Sequence, residues 1–332
     1  MTTISSGDDT HGAEVISSEG HAYGVLTTFQ RPDTLATTLE RLLAQTRPLD
    51  RLVVLDNGSD PAVNRVVGLF QARGMRVEYL DPGENLGPAG GYALGIRMLA
   101  GSNDDNWIFL LDDDDPPFFD DAFEKALDFA SRMIAADPST GGVGISGGRF
   151  DLAAGLVVRI GDDEIHGPVL VDHITGGGLP AYRAAAARSV GGPLSDLFFG
   201  FEELEFGLRL TGAGFSLYAD GDQWRLRKSV KRERGLLPPE EQSAARAETR
   251  SLRVTEPSWR RYYSLRNLIY ILRSQGRNGT ALRVALGRGM AKPLLNLVIA
   301  PGPAWRALGV NAKAIRDGWG GRMGKTITPG SI

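Results

Sequence analysis

The first half of this chain alternates short apolar runs with segments of helical hydrophobic period, and this alternation restricts the fold more than any other feature. The apolar runs are residues 23–29, 52–55, 77–80 and 107–111. Continuous apolar strands that alternate with helices of about 10 to 15 residues are typical of a parallel sheet with both faces covered. We therefore predict an α/β fold with a mostly parallel central sheet.

Polar side chains stand where these predicted strands end. Thr28 ends the first run, Asp56 follows the second, Asp81 follows the third, and four consecutive aspartates, residues 112–115, follow the fourth. In parallel sheets, ligands bind beyond the carboxyl ends of the strands. We therefore expect a binding site at this edge of the sheet.

Cysteine is absent from all 332 residues, and this absence excludes several kinds of site. Disulfide frameworks, thiolate zinc sites, iron–sulfur clusters and cysteine nucleophiles all need this side chain. The four histidines also lack the i, i+4 spacing of a helical metal site; they are His11, His21, His166 and His173.

Charge is distributed unevenly along the chain. Residues 257–332 contain thirteen Lys or Arg and one acid, Asp317, so they carry +12, while the rest carries −15 and the whole chain −3. A basic segment on an acidic body indicates contact with phosphates, with an anionic lipid surface or with the acidic body itself.

The N-terminal residues and the apolar runs bear on membrane topology. Residues 1–20 are polar and lack the basic, then apolar order of a signal peptide, and we expect them to be flexible. The best apolar candidate, residues 293–300, is much shorter than the roughly 20 residues that a transmembrane helix needs. We expect no membrane span and a cytoplasmic location.

Four adjacent carboxylates at a strand end repel one another, and a divalent cation would relieve this repulsion. Mg²⁺ and Mn²⁺ take oxygen ligands, usually one or two carboxylates together with substrate phosphates. Side chains alternate along an extended chain, so Asp112 and Asp114 point to one side and Asp113 to the other. The alternative is a solvated acidic turn that caps the next helix.

Residues 84–92 form a glycine-rich loop that leads into a predicted helix. Amide groups at a helix start can hold a phosphate, and small residues let a ligand approach the backbone. The glycine spacing matches neither the dinucleotide-binding fingerprint nor the P-loop. Close packing of the helix on a strand is the alternative explanation.

Residues 198–209 place Glu202, Glu203 and Glu205 at the start of a helix that is rich in phenylalanine. The helix dipole favours acids at this position, which would explain them without a function. Favourable interaction with the helix start would not require two adjacent acids beside three phenylalanines. They indicate a general base that takes the proton of an attacking hydroxyl.

Five motifs in a fixed order resemble the family 2 inverting glycosyltransferases of the GT-A fold. They cover about residues 22–225 and are Thr-Phe-x-Arg at 28–31, Leu-Asp-Asn-Gly-Ser at 55–59, Asn-Leu-Gly-x-Ala-Gly-Gly at 85–91, Leu-Asp-Asp-Asp at 111–114 and Phe-Glu-Glu-x-Glu-x-x-x-Arg at 201–209. Residues 261–267 and 317–322 resemble segments of bacterial galactofuranosyl- and rhamnosyltransferases. The motif at 85–91 is more similar to the galactofuranosyl branch.

The resemblance implies a set of residues that bind a nucleotide-sugar donor. They are Thr28, Arg31, Asp56, Asn85, Gly90, Gly91, Asp112, Asp113 and Arg225. Among them, Thr28, Arg31 and Asp56 would hold the nucleotide base and ribose. Asn85 and the turn at Gly90 and Gly91 would line the donor pocket.

The same resemblance implies the metal ligands and the catalytic base. Asp112 and Asp114 would bind Mn²⁺ or Mg²⁺ together with the diphosphate of the donor. Glu203 would be the base, with the adjacent Glu202 as the alternative.

Two positions depart from the family pattern. Glu203 stands where the family usually has Asp, and its longer side chain would place the acceptor differently. Arg225 follows Trp224 where many members have a metal-binding histidine. Either fewer protein ligands hold the metal, or Arg225 neutralises the diphosphate directly, or metal dependence is weak.

The resemblance implies an inverting, metal-assisted glycosyltransferase. It would move galactofuranose or rhamnose from a UDP- or dTDP-sugar to a hydroxyl of a glycan, a lipid-linked glycan or a protein, and nucleic acid is not an expected partner. One alternative is a nucleotide-sugar-binding protein that has lost the reaction. Another is a sugar nucleotidyltransferase, although residues 27–31 lack the glycine of its usual N-terminal loop.

We predict four segments: a flexible N-terminus (1–20), a GT-A catalytic domain (21–227), a charged linker (228–256) and a basic helical extension (257–332). In the extension, apolar residues repeat at helical spacing, as at Leu265, Leu268, Ile269 and Leu272. These residues indicate amphipathic surface helices. The helices would lie on an anionic membrane, or pack on the acidic body or on a second subunit of a homo-oligomer.

Overall fold

A central sheet of eight strands positions the rest of the structure. The computed structural model describes residues 20–101, 103–234, 259–297 and 301–328. Its strands are β1 Ala22–Thr28, β2 Arg51–Asp56, β3 Val77–Leu80, β4 Trp107–Asp112, β5 Thr140–Gly144, β6 Gly147–Asp151, β7 Leu156–Val158, β8 Pro168–Val171, β9 His173–Ile174, β10 Ala181–Arg183 and β11 Ser216–Asp220. The strand order of the central sheet is β3-β2-β1-β4-β10-β5-β11-β8, and β7-β6-β9 form a small second sheet.

Six of the eight central strands run in the same direction. β1 pairs in parallel with β2 and β4, β2 with β3, and β5 with β11, whereas β10 and β8 are antiparallel to their neighbours. The register sets Thr28 opposite Asp56 and Thr27 opposite Asp112. The polar strand ends therefore meet at one edge of the sheet, as expected from the sequence.

Helices cover both faces of this sheet. They are α1 Pro32–Leu43, α2 Pro61–Ala72, α3 Gly87–Leu99, α4 Ala122–Ala136, α5 Ala184–Val190, α6 Glu202–Gly212, α7 Gly221–Glu233, α8 Trp259–Ser274, α9 Asn278–Val284, α10 Lys292–Leu295 and α11 Pro301–Gly320. α1, α2 and α4 bury apolar side chains on one face, and α3, α5 and α6 bury theirs in a separate core. The predicted α/β fold, a mostly parallel sheet flanked by helices, is confirmed.

The predicted segment boundaries agree with the structure only in part. Helix α7 continues to Glu233, so the first residues of the predicted linker 228–256 are helical and not a loop. The remainder of that linker from residue 235, and residues 1–19 of the predicted flexible N-terminus, lie outside the described residues.

The C-terminal extension shares a hydrophobic core with the rest of the protein. Leu265, Leu268, Ile269 and Leu272 of α8 are buried, and the same cluster contains Phe150, Phe198, Leu204 and Leu208. Of the alternatives expected for these α8 residues, packing on the body of the protein is the one that the structure shows, and they do not form a face for a membrane. They pack inward because α8 lies between the sheet domain and α11.

Helices α9 and α10 form one continuous helical run through a π-helical segment, Ala285–Ala291. Pro293 lies inside this helical run and does not interrupt it. In the described part of the chain, no helix is both long enough and apolar enough to cross a bilayer.

Candidate active site

The carboxyl ends of the parallel strands open into a cleft of about 400 Å³. Seven of the sequence-predicted site residues line it: Thr28, Arg31, Asn85, Asp112, Asp113, Asp114 and Glu202. Phe198 and Phe199, which precede α6, line the same cleft, as do Trp259 and Arg260 of α8. The cleft therefore joins the strand ends to the C-terminal extension.

Asp113 is tied to the segment that follows β1. The Thr28 hydroxyl donates a hydrogen bond to it at 2.6 Å, and the Arg31 guanidinium donates to Asp113 at 3.3 Å and to Asp114 at 2.7 Å. Burial raises the pKa of Asp113, and the bonds from Thr28 and Arg31 act against this rise. Arg31 thus neutralises part of the acidic run from within the cleft.

Asp112 lacks such compensation. It accepts a hydrogen bond of 2.6 Å from the hydroxyl of Tyr92, a neutral donor on α3. Burial raises the pKa of Asp112, and repulsion from Asp114, Asp113 and Asp115 raises it further. Tyr92 is the last residue of the predicted glycine-rich loop 84–92, and no sequence signal indicated that it would contact the acidic run.

The cation beside the end of the acidic run is Arg227. Its guanidinium donates to both carboxylate oxygens of Asp115 at 3.1 Å and also to the carbonyl oxygen of Gly177. Arg225, the residue that the family pattern suggested for this role, is exposed on α7. Two residues along a helix turn a side chain by about 200°, so only one of these arginines can face the site.

Glu202 and Glu203 begin α6 close to Asp112. A Cβ atom on Gly176 would lie 2.7 Å from Glu203 Oε1 and 3.7 Å from Asp112 Oδ2. The absence of a side chain at Gly176 therefore lets the carboxyl groups of Glu203 and Asp112 both lie close to this turn. Burial and then the charge of Glu203 raise the pKa of Glu202 well above its ordinary value. Burial, with Asp112 adding to it, raises the pKa of Glu203.

Glu202 also carries an oxygen without a partner. Its side chain is 7% exposed, and Oε2 accepts no hydrogen bond within the described structure. A buried polar oxygen without a partner is costly, which agrees with the raised pKa of Glu202.

The turn that presents these acids has an unusual backbone. Phe198 and Phe201 have φ angles of 62° and 69°, in the left-handed region that disfavours residues with a Cβ atom, and Gly200 between them has 84°. Such a conformation persists only when surrounding contacts hold it.

Arg266 and Asn267 of α8, both fully buried, supply those contacts. The Asn267 side-chain amide donates to the carbonyl oxygens of Leu197, Phe199 and Gly200 at 3.1, 3.0 and 2.7 Å. The Arg266 guanidinium donates to Leu197 at 2.8 Å. These are the last two residues of the sequence motif 261–267, but the motif did not indicate which turn they would bind.

The glycine-rich loop is built around Asn57 and Asn85. The amide N–H of Leu86 donates to Asn57 Oδ1 at 2.9 Å, and that of Gly87 donates to Asn85 Oδ1 at 2.9 Å. Gly87 has a φ of 67° and touches the carbonyl of Phe198, where any Cβ would collide. The loop therefore packs directly against the turn that presents the acids. The sequence prediction omitted Asn57, although it follows Asp56 in the motif 55–59.

Three of the predicted donor-binding residues lie behind the cleft wall instead of lining it. Asp56 is fully buried and accepts hydrogen bonds from the N–H groups of Gly58 and Asp60 and from the Tyr79 hydroxyl. Gly91 is a close-packing site, because a Cβ there would lie 2.7 Å from Thr27 Cγ2, and Gly90 packs in the same way against Leu86.

The acidic run offers oxygen ligands to a divalent cation. The described residues contain no group of three or more acids and histidines arranged to hold a metal. Asp112 nevertheless has a hydrogen bond only from neutral Tyr92 and is repelled by its acidic neighbours. Asp112 therefore fits a Mg²⁺ or Mn²⁺ ion whose other ligands are substrate phosphates and water, whereas Asp114 is paired with Arg31 at 2.7 Å. The expected alternation, with Asp113 on the side opposite Asp112 and Asp114, is wrong, because β4 ends at Asp112 and Arg31 contacts Asp113 and Asp114 together.

Comparison with known proteins agrees with the motif-based resemblance. Residues 25–153 match the family model "Glycosyl transferase family 2". The galactofuranosyltransferase GlfT1 of Mycolicibacterium smegmatis is 32% identical over 202 residues, which are 57% of this chain and 65% of that protein. GlfT1 of Mycobacterium tuberculosis is 33% identical over 204 residues, 58% of this chain and 65% of that protein.

The chain thus spans somewhat less than two thirds of the length of these curated relatives. Among solved structures, it is similar to a mannosyltransferase, PcManGT from Pyrobaculum calidifontis in complex with GDP-Man and Mn²⁺. The TM-score is 0.49 at 14% identity, covering 91% of this chain and 88% of that one.

The raised pKa of Glu202 predicts a pH-dependent stability change. A carboxyl group whose pKa is raised in the folded state stabilises the fold below its ordinary pKa of 4.5 and loses that contribution as pH rises through the folded value. Glu202→Gln should therefore raise the Tm at pH 7.5, and the gain should disappear toward pH 4.

Differential scanning fluorimetry across this pH range checks the prediction. Glu78→Gln is a suitable control, since Arg51 lowers the pKa of the exposed Glu78 and its replacement should give no gain at pH 7.5. A Glu202→Gln variant that is less stable than the native protein at every pH would contradict the interpretation.

Proposed function

We propose that this chain, whose residues 25–153 match glycosyltransferase family 2, is an inverting glycosyltransferase that uses a nucleotide-diphosphate sugar. The observation that supports it best is the cleft that brings together the acidic run at the end of β4, Thr28 and Arg31, which both bind Asp113, and Glu202 of α6. Glu203 does not line this cleft but lies near Asp112 beside the turn at Gly176. The names of the curated relatives favour galactofuranose as the transferred sugar over rhamnose. The acceptor is a hydroxyl of a glycan, of a lipid-linked glycan or of a protein.

The donor lies along the strand ends in this proposal. Thr28, Arg31 and Asn85 hold the nucleotide part, and Arg227 faces the acidic run where Arg225 was expected. Asp112 and Asp114 would hold Mn²⁺ or Mg²⁺, which supplies positive charge to the leaving diphosphate. The negative charge of the acidic run alone would repel that diphosphate. Arg31 and Arg227, like the metal ion, reduce this repulsion by supplying positive charge.

Glu203 acts as the general base, with Glu202 as the alternative. Burial and neighbouring carboxylates raise the pKa of both groups, and a base with a raised pKa accepts a proton more readily. Glu203 takes the proton of the acceptor hydroxyl while that oxygen attacks the anomeric carbon from the face opposite the diphosphate.

The products of incubation with donor distinguish this function from its two alternatives. A panel of UDP- and dTDP-sugars is first screened by thermal shift with Mn²⁺, and the stabilising donors are then incubated with the protein. Release or transfer of sugar supports a glycosyltransferase, binding without turnover supports a nucleotide-sugar-binding protein, and release of pyrophosphate supports a nucleotidyltransferase.

Metal dependence through Asp112 and Asp114 gives the next prediction. Asp114→Ala should lower donor turnover by about 10²-fold or more, because a metal ion contributes several kcal/mol to stabilising the leaving group. Its Tm should stay nearly unchanged, since Asp114 is exposed and its ion pair with Arg31 is a surface pair.

Turnover is measured as nucleoside diphosphate release with Mn²⁺, with Mg²⁺ and with EDTA. Asp128→Asn, an exposed acid on α4, serves as the matched control. Full activity in EDTA would show that the acidic run has another purpose.

The assignment of the base makes a separate prediction. Glu203→Gln should lower sugar transfer by about 10²- to 10⁴-fold while the Kd for the nucleotide-sugar is retained, because the base is needed for chemistry and not for docking. The test is a comparison of transfer rates and donor Kd in Glu203→Gln and Glu202→Gln. If Glu202→Gln is the inactive variant and Glu203→Gln is active, Glu202 is the base.

The extension also carries a surface suited to the inner, anionic face of a cell membrane. Six large apolar side chains are exposed from α9 to α11: Leu282, Leu286, Leu294, Leu295, Trp305 and Trp319. Arg283, Arg288 and Lys292 lie among them in sequence, and the one acid of the region, Asp317, is buried and paired with Lys313 and Arg316. Exposed apolar residues with cations and almost no free negative charge are typical of helices that lie in a lipid interface.

Binding to anionic vesicles tests this surface. The full chain should sediment with phosphatidylglycerol-containing vesicles at low salt, leave them as salt rises, and ignore pure phosphatidylcholine, since each cation near such a surface contributes about 1 kcal/mol. A Leu295→Glu, Trp305→Glu double variant should lose binding, whereas Leu69→Glu, at an equally exposed leucine on α2, should not. A protein that ignores anionic vesicles at low salt and sediments as a dimer would assign this surface to a second copy of the chain.

A further inference from the structure

Aromatic side chains form one part of the cleft lining, next to the acid pair. Phe199 and Trp259 meet edge to face with ring centroids 4.6 Å apart, and the Arg260 guanidinium lies 5.3 Å and 5.2 Å from these two rings. Phe199 precedes α6 by three residues, and Trp259 begins α8. We call Phe199, Trp259 and Arg260 the aromatic wall.

The aromatic wall is only partly buried, although aromatic side chains stabilise a fold most when they are fully buried. Phe199 and Trp259 are both of intermediate exposure, and Arg260 is exposed. Tyr262 and Tyr263, on the following turn of α8, are by contrast fully buried. A partly open aromatic surface inside a cleft is available to the apolar face of a ligand.

Glu202 lies beside the aromatic wall in the same cleft lining. A ligand that suits both features has an apolar face for the rings and a hydroxyl group at its edge for the carboxylate. A sugar ring has this combination, because its C–H groups form an apolar face while its hydroxyls project from the edge.

We propose that the aromatic wall is the acceptor subsite, where the sugar ring that receives the transferred group stacks on Trp259 and Phe199. This inference rests on the proposed glycosyltransferase function and specifies one of its substrates as a carbohydrate. In this arrangement the acceptor hydroxyl must face Glu202 and Glu203. These two acids lie next to the aromatic wall, because Phe199 precedes Glu202 by only three residues.

The donor does not need this wall. The side chains proposed to bind it, Thr28, Arg31, Asn85 and the acidic run, come from β1, β4 and the loop before α3. In an inverting transfer the acceptor oxygen approaches from the face opposite the leaving diphosphate, so the acceptor needs its own surface beside the base. The aromatic wall adjoins Glu202 in the lining and is not among the groups proposed to bind the donor.

Trp259 and Arg260 belong to the C-terminal extension and Phe199 to the turn before α6, so the whole wall lies outside residues 25–153, which match the family model. Seven residues further along α8, Arg266 and Asn267 bind the turn that contains Phe199. The same helix therefore supplies one half of the wall and fixes the position of the other half.

The experiment compares Trp259→Ala, Trp259→Phe and a matched control, Trp319→Ala, a partly exposed tryptophan that does not line the cleft. The probes are UDP-galactofuranose and methyl glycosides of galactofuranose, galactopyranose and rhamnose. The glycoside that the unaltered protein glycosylates fastest is used for kinetics, and binding of each glycoside without donor is followed by ligand NMR line broadening.

Trp259→Ala should raise the acceptor KM about tenfold, in line with the loss of one aromatic contact. It should also remove the line broadening of the glycoside, while the Kd for UDP-galactofuranose changes less than about twofold. Trp259→Phe should restore most of the acceptor affinity, and Trp319→Ala should behave as the native protein. The Tm of each variant shows whether it is folded.

Two results would overturn the inference: an acceptor KM that Trp259→Ala leaves unchanged, or an equal loss of donor and acceptor affinity. Failure of the proposed function has a different signature. A protein that binds a glycoside through Trp259 and never turns over a nucleotide-sugar would contradict the transfer reaction and leave the carbohydrate subsite in place.

Discussion

The turn before α6 is the constraint on which the arrangement of the cleft depends. Phe198 and Phe201 occupy left-handed backbone conformations that residues with a Cβ atom avoid, so the turn cannot be maintained by local preference alone. Arg266 and Asn267 hold it by donating to three of its carbonyl oxygens. Both are fully buried, and their loss would remove the side-chain donors that hold these carbonyl oxygens in place. The position of Glu202 and Glu203 therefore depends on a helix far along the chain.

The cleft also holds more negative charge than its own cations balance. Asp112, Asp113, Glu202 and Glu203 all have raised pKa values, with burial as the first cause. Arg31 and Arg227 compensate the outer members of the acidic run but leave Asp112 beside neutral Tyr92. Such an imbalance lowers stability in the absence of a bound partner. It is useful where a cation and a proton must be taken up during a reaction.

The structure divides the proposed tasks between the two halves of the chain. The parallel strand ends carry the groups suited to a nucleotide and its phosphates, and this half matches the family model. The segments after residue 195 carry the acid pair, the aromatic wall and the basic exposed surface. The two sets of groups come together at the cleft, where Gly87 also touches the carbonyl of Phe198.

The sequence by itself determined the alternation of strands and helices, the edge of the sheet where the polar strand ends meet, and the acidic residues that line the cleft. These features are local: hydrophobic period specifies an element, and parallel strands bring their ends together. The tertiary structure decided the rest. It buried Asp56 within its own loop and turned Arg227 instead of Arg225 toward Asp115. It also joined Asn267 to Phe199 across 68 residues. Such contacts depend on helix phase and on packing between distant segments, which hydrophobic period does not encode.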